Sequence, residues 1–199
     1  MIVDLMRHGE PAGGQRFRGH GCDDPLSEDG WRQMERAAAA ENGWQRIVTS
    51  PLARCRAFAE YLAQERGLPL SAEPDLREIG FGAWEGRTRA QLQAERPQEY
   101  RAFYADPEHN RPEGAEMLDT FRKRVEAAFA RSVEAPGSPD EHVLLVVHAG
   151  VIRALVGGVM AVPDGHLFQL DCDYASLTRI HRQAERGWRL AFTNRPPAA

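Results

Sequence analysis

Two histidines stand at the ends of two apolar runs. Ile2-Val3-Asp4-Leu5-Met6 leads into Arg7-His8-Gly9-Glu10, and Val143-Leu144-Leu145-Val146-Val147 leads into His148-Ala149-Gly150. A third run, Arg46-Ile47-Val48-Thr49, ends on Ser50-Pro51-Leu52-Ala53-Arg54. In a parallel α/β sheet the C-terminal strand ends share one crevice, so residues distant in sequence can converge there. Two imidazoles and two guanidiniums at such an edge suit a phosphoryl group that passes through a histidine. Imidazole attacks phosphorus through a neutral ring nitrogen, and cationic neighbours such as Arg7 lower the histidine pKa in that direction. Arg54 falls near a helix start, where the dipole disfavours a cation. A forked contact to phosphate oxygens would give it a purpose. The helix expected from Gly150 offers unpaired backbone N–H groups near Ala149 to an anion.

Taken singly, each residue has a plainer reading: a histidine closing a buried strand, or a solvated surface arginine. The repetition of one local pattern at two strand ends is what argues for chemistry. Phosphoester cleavage also needs a proton for the leaving oxygen. Leu76-Arg77-Glu78-Ile79-Gly80-Phe81-Gly82-Ala83-Trp84-Glu85-Gly86 supplies two candidate acids, Glu78 and Glu85. Packing against Phe81 and Trp84 would raise a carboxyl pKa by desolvation, although both aromatics also suit plain core packing. A metal site from His8, His20, Asp23 and Asp24 can be drawn, but the chain has no HExxH and no closely spaced ligand pair. No metal or other cofactor is expected.

The elements that must position these residues alternate between β and α. Ser27 caps a helix with Glu28 and Asp29 in its first turn, carrying Trp31, Met34 and Ala38 and stopping near Asn42-Gly43. Pro51 is expected in the first turn of a helix that buries Phe58, Ala59 and Leu62 and ends at Arg66-Gly67. A short strand follows at 70–73, a structured loop at 76–87, and two short helices separated by Pro97. After a loop at 106–115, three- and four-residue spacing predicts a helix over 115–133 that buries Met117, Leu118, Phe121, Val125 and Phe129. Residues 135–140 read as a linker. The run 143–147 lacks polar alternation, as expected for a strand covered on both faces. After the helix at 150–160, strands are expected near 167–171, 175–181 and 187–193, then a short tail, 195–199. This is α/β in a single domain over residues 1–199, with a sheet sandwiched between helices.

Composition agrees. With 42% hydrophobic and 27% charged residues, 199 residues can bury a substantial core. The net charge of -4 argues against nucleic-acid binding, which needs a basic face. No apolar run approaches the ~20 residues of a membrane span, and the N-terminus meets charge too early for a signal peptide. Cys22, Cys55 and Cys172 form no CxxC pair, so the expectation is a reducing cytoplasm. The expected partner is a small phosphorylated metabolite, with room for a homo-oligomer.

Five segments, in order, resemble the histidine phosphatase superfamily, which includes phosphoglycerate mutases. They are Leu5-Met6-Arg7-His8-Gly9-Glu10, Asp24-Pro25-Leu26-Ser27-Glu28-Asp29-Gly30, Ser50-Pro51-Leu52-Ala53-Arg54, the 78–86 stretch and His148-Ala149-Gly150-Val151-Ile152-Arg153. The resemblance implies a phosphoglycerate mutase-like three-layer sandwich with a mostly parallel central sheet. It implies His8 as the phosphorylated nucleophile, Arg7, Arg54 and His148 as holders of the phosphoryl group, and Glu78 as proton donor, with Glu85 the lesser candidate. Two departures stand out: Gly13-Gly14 where many members carry a phosphate-contacting asparagine, and Ala149 where many carry glycine.

Within the superfamily the chain is most similar to α-ribazole-5'-phosphate phosphatases of cobalamin assembly. The likeness rests on Arg18-Gly19, Gly30-Trp31-Arg32-Gln33-Met34 and Ser50-Pro51-Leu52-Ala53-Arg54-Cys55. The implied activity is metal-independent phosphomonoester hydrolysis. The rivals are mutase-type phosphoryl transfer, which would need a bisphosphorylated primer, and a phospho-ligand binding module without turnover. Retention of an acid beside both histidines speaks against the last.

Overall fold

The computed structural model describes residues 1–134 and 140–197. The expected linker, apart from Asp140, lies outside the described residues, as do the last two residues of the tail. Six strands form one sheet: β1 (Ile2–Arg7), β2 (Arg46–Thr49), β3 (Leu70–Ala72), β4 (His142–Val147), β5 (Leu177–Gln183) and β6 (Gly187–Arg195), in the order β3-β2-β4-β1-β5-β6. β3, β2, β4 and β1 run parallel, and β5 and β6 continue the sheet antiparallel. Among the described residues the α-helices are α1 (Glu28–Ala39), α2 (Ala53–Arg66), α3 (Arg89–Glu95), α4 (Pro97–Ala105), α5 (Leu118–Glu134) and α6 (Ala149–Met160).

Alternation of side chains along the central strands builds the layers. Val3, Leu5, Val143, Leu145 and Val147 join one buried cluster with Phe121 and Val125 of α5 and Val151 and Leu155 of α6. Met6, Leu144 and Val146 join a second with Met34 and Ala38 of α1 and Phe58, Ala59 and Leu62 of α2. Helices thus cover both faces, which explains why β4 carries an unbroken apolar run. Asp4, fully buried on the α1–α2 face, accepts from Trp44 Nε1 at 2.8 Å, His142 Nε2 at 2.9 Å and the Arg179 guanidinium at 2.7 and 2.9 Å.

The mostly parallel sandwich is the expected architecture, with several local differences. Residues 164–169 form a 3-10 helix (Asp164–Gln169) instead of a strand near 167–171. Only Leu167 of that turn is buried, so its apolar residues serve a turn over α6 and not a sheet. Ser27 caps α1 as expected, its Oγ accepting from Gly30 N at 3.0 Å, but α1 ends at Ala39. α2 starts at Ala53, so Pro51 precedes the helix. α5 starts at Leu118, leaving Met117 outside it and 52% exposed. The 76–87 loop contains a 3-10 turn, Gly82–Trp84.

Candidate active site

The parallel register fixes the two histidines. β1 pairs with β4 so that Arg7 lies opposite Val147, and the next residue on each strand is a histidine. His8 N–H donates to Val147 O at 3.0 Å, and the two rings meet edge to face with centroids 5.2 Å apart. β2 adds Ser50 from the other side, its N–H donating to Val146 O at 3.0 Å. Ser50 Oγ lies 2.7 Å from His148 Nε2.

His8 Nδ1 is 2.8 Å from Gly9 O, a carbonyl that can only accept. The ring proton therefore sits on Nδ1, and Nε2 keeps its lone pair. Burial, and then the charges of Arg7 and Arg54, hold the His8 pKa well below its ordinary value. His148 is likewise depressed, first by burial and then by Arg54. Both imidazoles are neutral at pH 7.

A cleft of about 530 Å³ opens at this edge, lined by Arg7, His8, Arg18, Arg54, Glu78 and Ala149 among others. His148 is fully buried beside His8 and is not part of the lining. Arg54, 1% exposed, donates to Cys22 O at 3.0 Å and Gly19 O at 2.8 Å. Arg7 donates to Cys172 O and lies 4.1 Å over the Tyr174 ring. Among the described residues, Arg7 Nε and Arg54 Nε are buried without an acceptor. A buried N–H left unpaired costs about 1–3 kcal/mol, a cost that an oxyanion reaching these two cleft-lining arginines would relieve.

The two candidate acids separate. Glu78 lines the cleft, its Oε1 accepting from Ile79 N at 3.0 Å and its Oε2 from Gly150 N at 3.3 Å. Glu85 accepts from Phe81 N at 2.9 Å, and its Oε1 lies 1.8 Å from where a Cβ on Gly19 would sit. It braces the two loops and does not line the cleft. Phe81 and Trp84 are buried in an aromatic cluster with Phe103, so the core-packing reading holds for both.

The residues considered for a metal turn to separate partners. His20 Nδ1 is 3.2 Å from Glu78 O, Asp23 accepts from Ala53 N at 2.7 Å, and Asp24 pairs with Arg18 at 2.8 Å. Gly13 and Gly14 take φ of 81° and 74°, a left-handed pair that glycine adopts without strain. This turn aims Gly14 O at Arg18 Nη2, 2.7 Å away, and Gln15, one residue on, lines the cleft with an amide.

Sequence reasoning missed several members of the site. Ser50 lay inside a quoted motif but had no assigned task. Arg18, 6% exposed, could be found only through the loop it ties together. Tyr174 carries no spacing signal; it arrives on the loop before β5.

The sequence profile of the histidine phosphatase superfamily, branch 1, matches residues 3–195. A bifunctional protein of Mycobacterium tuberculosis is 34% identical over 178 residues, which are 87% of this chain but 48% of that protein, so the chain spans about half of that relative. The adenosylcobalamin/α-ribazole phosphatase of Escherichia coli is 30% identical over 184 residues, covering 90% of this chain and 89% of the relative. The solved structure of a mycobacterial glucosyl-3-phosphoglycerate phosphatase superposes with a TM-score of 0.86 at 29% identity, covering 98% of this chain and 99% of that one. With the match running from β1 into β6, the chain belongs to the histidine phosphatase superfamily.

Proposed function

We propose that the protein is a phosphomonoester hydrolase working without a metal through a phosphohistidine on His8. One observation carries the reading: a neutral His8 shares one cleft with two arginines whose buried Nε–H groups lack acceptors. In the first step Nε2 forms a bond to phosphorus, the ester P–O bond breaks, and Glu78 gives its proton to the departing alcohol. Gly9 O then faces a phospho-imidazolium Nδ1–H and stabilises it as a charge-assisted acceptor. In the second step water attacks phosphorus, the Glu78 carboxylate takes the water proton, and the P–N bond breaks to restore neutral His8.

Arg7, Arg54 and the Ala149 amide neutralise the phosphoryl oxygens, and positioning with charge supplies most of the acceleration. His148, behind the cleft lining, supports the His8 ring edge to face. Ser50 Oγ, which accepts from Leu52 N–H at 3.3 Å, also pairs with His148 Nε2 at 2.7 Å and so fixes that ring.

The substrate is a small phosphorylated metabolite, with α-ribazole 5'-phosphate the first candidate. The relative named for that activity, matched along nine-tenths of this chain, supports it. The likeness to a glucosyl-3-phosphoglycerate phosphatase makes phosphoglycerate esters the comparison set. Two experiments test the reading. Labelled substrate quenched within one turnover should leave acid-labile, alkali-stable label on the wild type and none on His8→Ala, with activity surviving exhaustive chelation. A kcat/KM comparison across α-ribazole phosphate, phosphoglycerates and sugar phosphates, with and without a bisphosphorylated primer, ranks substrates and separates hydrolysis from mutase transfer. Near-native turnover by His8→Ala would overturn the mechanism.

A further inference from the structure

Glu78 sits on a loop held by a side chain 46 positions further along the sequence. Arg124, on α5, directs all five of its N–H groups at this loop and at one carboxylate. Nη1 donates to Asp75 O at 2.6 Å and Arg77 O at 2.9 Å, and Nη2 donates to Glu78 O at 3.1 Å. Nε and Nη2 also form a fork onto Glu116 Oε1 at 2.7 Å and Oε2 at 2.8 Å. Glu116 Oε2 in turn accepts from Gly80 N at 3.2 Å, two residues beyond Glu78. Arg111 closes the other side, donating to Gly80 O and Glu116 O, each at 3.0 Å.

The backbone before, at and after Glu78 is thus pinned by one ion pair, whose partners are 12% and 13% exposed. Arg124 lies 4.7 Å over the Phe121 ring, which anchors the guanidinium to the α5 core face. A planar five-donor fork matches this acceptor set; a lysine, with three donors at a point, cannot.

We infer that the Arg124–Glu116 pair is the positioning device for the general acid, setting Glu78 at the distance and angle from which it protonates the leaving oxygen. The inference rests on the proposed acid role of Glu78. Neither Arg124 nor Glu116 lines the cleft, and substituting either acts first on the loop, so the effect on the leaving group should pass through Glu78. Its signature is a loss that grows as the leaving group becomes more basic.

The test compares Arg124→Lys and Glu116→Gln, each alone and combined with Glu78→Gln, using kcat/KM for alkyl phosphates and for p-nitrophenyl phosphate. Each single variant should lose on the order of 10–100-fold on alkyl phosphates, the scale of a displacement near 1 Å. The loss on p-nitrophenyl phosphate should be far smaller, and inhibition by inorganic phosphate should be unchanged. In the Glu78→Gln background neither change should cost more. Should Arg124→Lys fail to fold, Glu116→Gln reads the same quantity.

Equal losses across leaving groups, or losses that multiply with Glu78→Gln, would overturn the inference while leaving the acid in place. If Glu78→Gln itself shows no leaving-group dependence, the acid assignment fails and the inference falls with it.

Discussion

Gly150→Ala separates stability from catalysis at the site by their signs. Gly150 is the second residue of α6, and its amide donates to Glu78 Oε2 at 3.3 Å. A Cβ there would lie 2.3 Å from Glu78 Oε1, 3.2 Å from its Cδ and 3.2 Å from Ile79 Cγ2. Unbonded heavy atoms rest at roughly 3.4 Å or more, so the carboxyl must retreat by about 1 Å, while Ile79 yields by a few tenths. The atom in the way ends a flexible side chain, so folding loses little. Alanine gains up to about 1 kcal/mol over glycine in a helix, worth about 2–4 °C in Tm for a chain of this size. Catalysis goes the other way, because an acid displaced by ~1 Å forfeits on the order of 100-fold. Thermal melts together with kcat/KM over a leaving-group series check both signs. Wild-type kcat/KM on alkyl phosphates, or a fall in Tm that parallels the activity loss, would refute the reasoning.

Three further outcomes follow from the buried ionisable groups. Although burial opposes its ionisation, hydrogen bonds from Arg179, His142 and Trp44 bring the Asp4 pKa from 3.8 down to about 2, which corresponds to about 2 kcal/mol of stability. That stability is complete above pH 3.8 and is lost as pH falls towards 2. Urea titrations should therefore find Asp4→Asn less stable by at least about 2 kcal/mol at pH 7, and with a flatter acid limb than wild type; an unchanged limb would contradict this. With the His8 and His148 pKa values depressed, single-turnover phosphorylation should show no ionisation at pH 6.5, the ordinary histidine value. Stability should fall as pH drops below 6.5, where the unfolded histidines take up protons that the folded ones refuse. A decline in phosphorylation centred on 6.5 would show His8 to be an ordinary, solvated imidazole.

Much of the chemistry was legible because it is written locally. A strand end followed by His-Gly or His-Ala-Gly, and an arginine just after Ser-Pro, can be recognised without knowing their neighbours. The layered fold was legible for the same reason: β4 has no polar alternation, and α5 buries Phe121, Val125 and Phe129 at helical spacing. The strand expected near 167–171 failed because a short apolar run has no period to choose by, and packing of Leu167 against Gly157 of α6 made it a turn. Burial of Met117 failed because α5 begins at Leu118, three residues after the expected start and one past Met117.

What the sequence determined by itself was which side chains could meet at one sheet edge and the parallel frame that gathers them, since both follow from short-range pattern. Tertiary structure decided which glutamate lines the cleft: the residue pattern offered both Glu78 and Glu85, and only the family resemblance ranked Glu78 first. The two diverge because Gly150 leaves room for one carboxylate, while Gly19 and Gly21 leave room for the other. The same holds for the ion pair behind Glu78. Arg124 reaches Asp75, Arg77 and Glu78 across more than forty positions, and no local preference records an acceptor set that exists only once α5 has packed beside the loop.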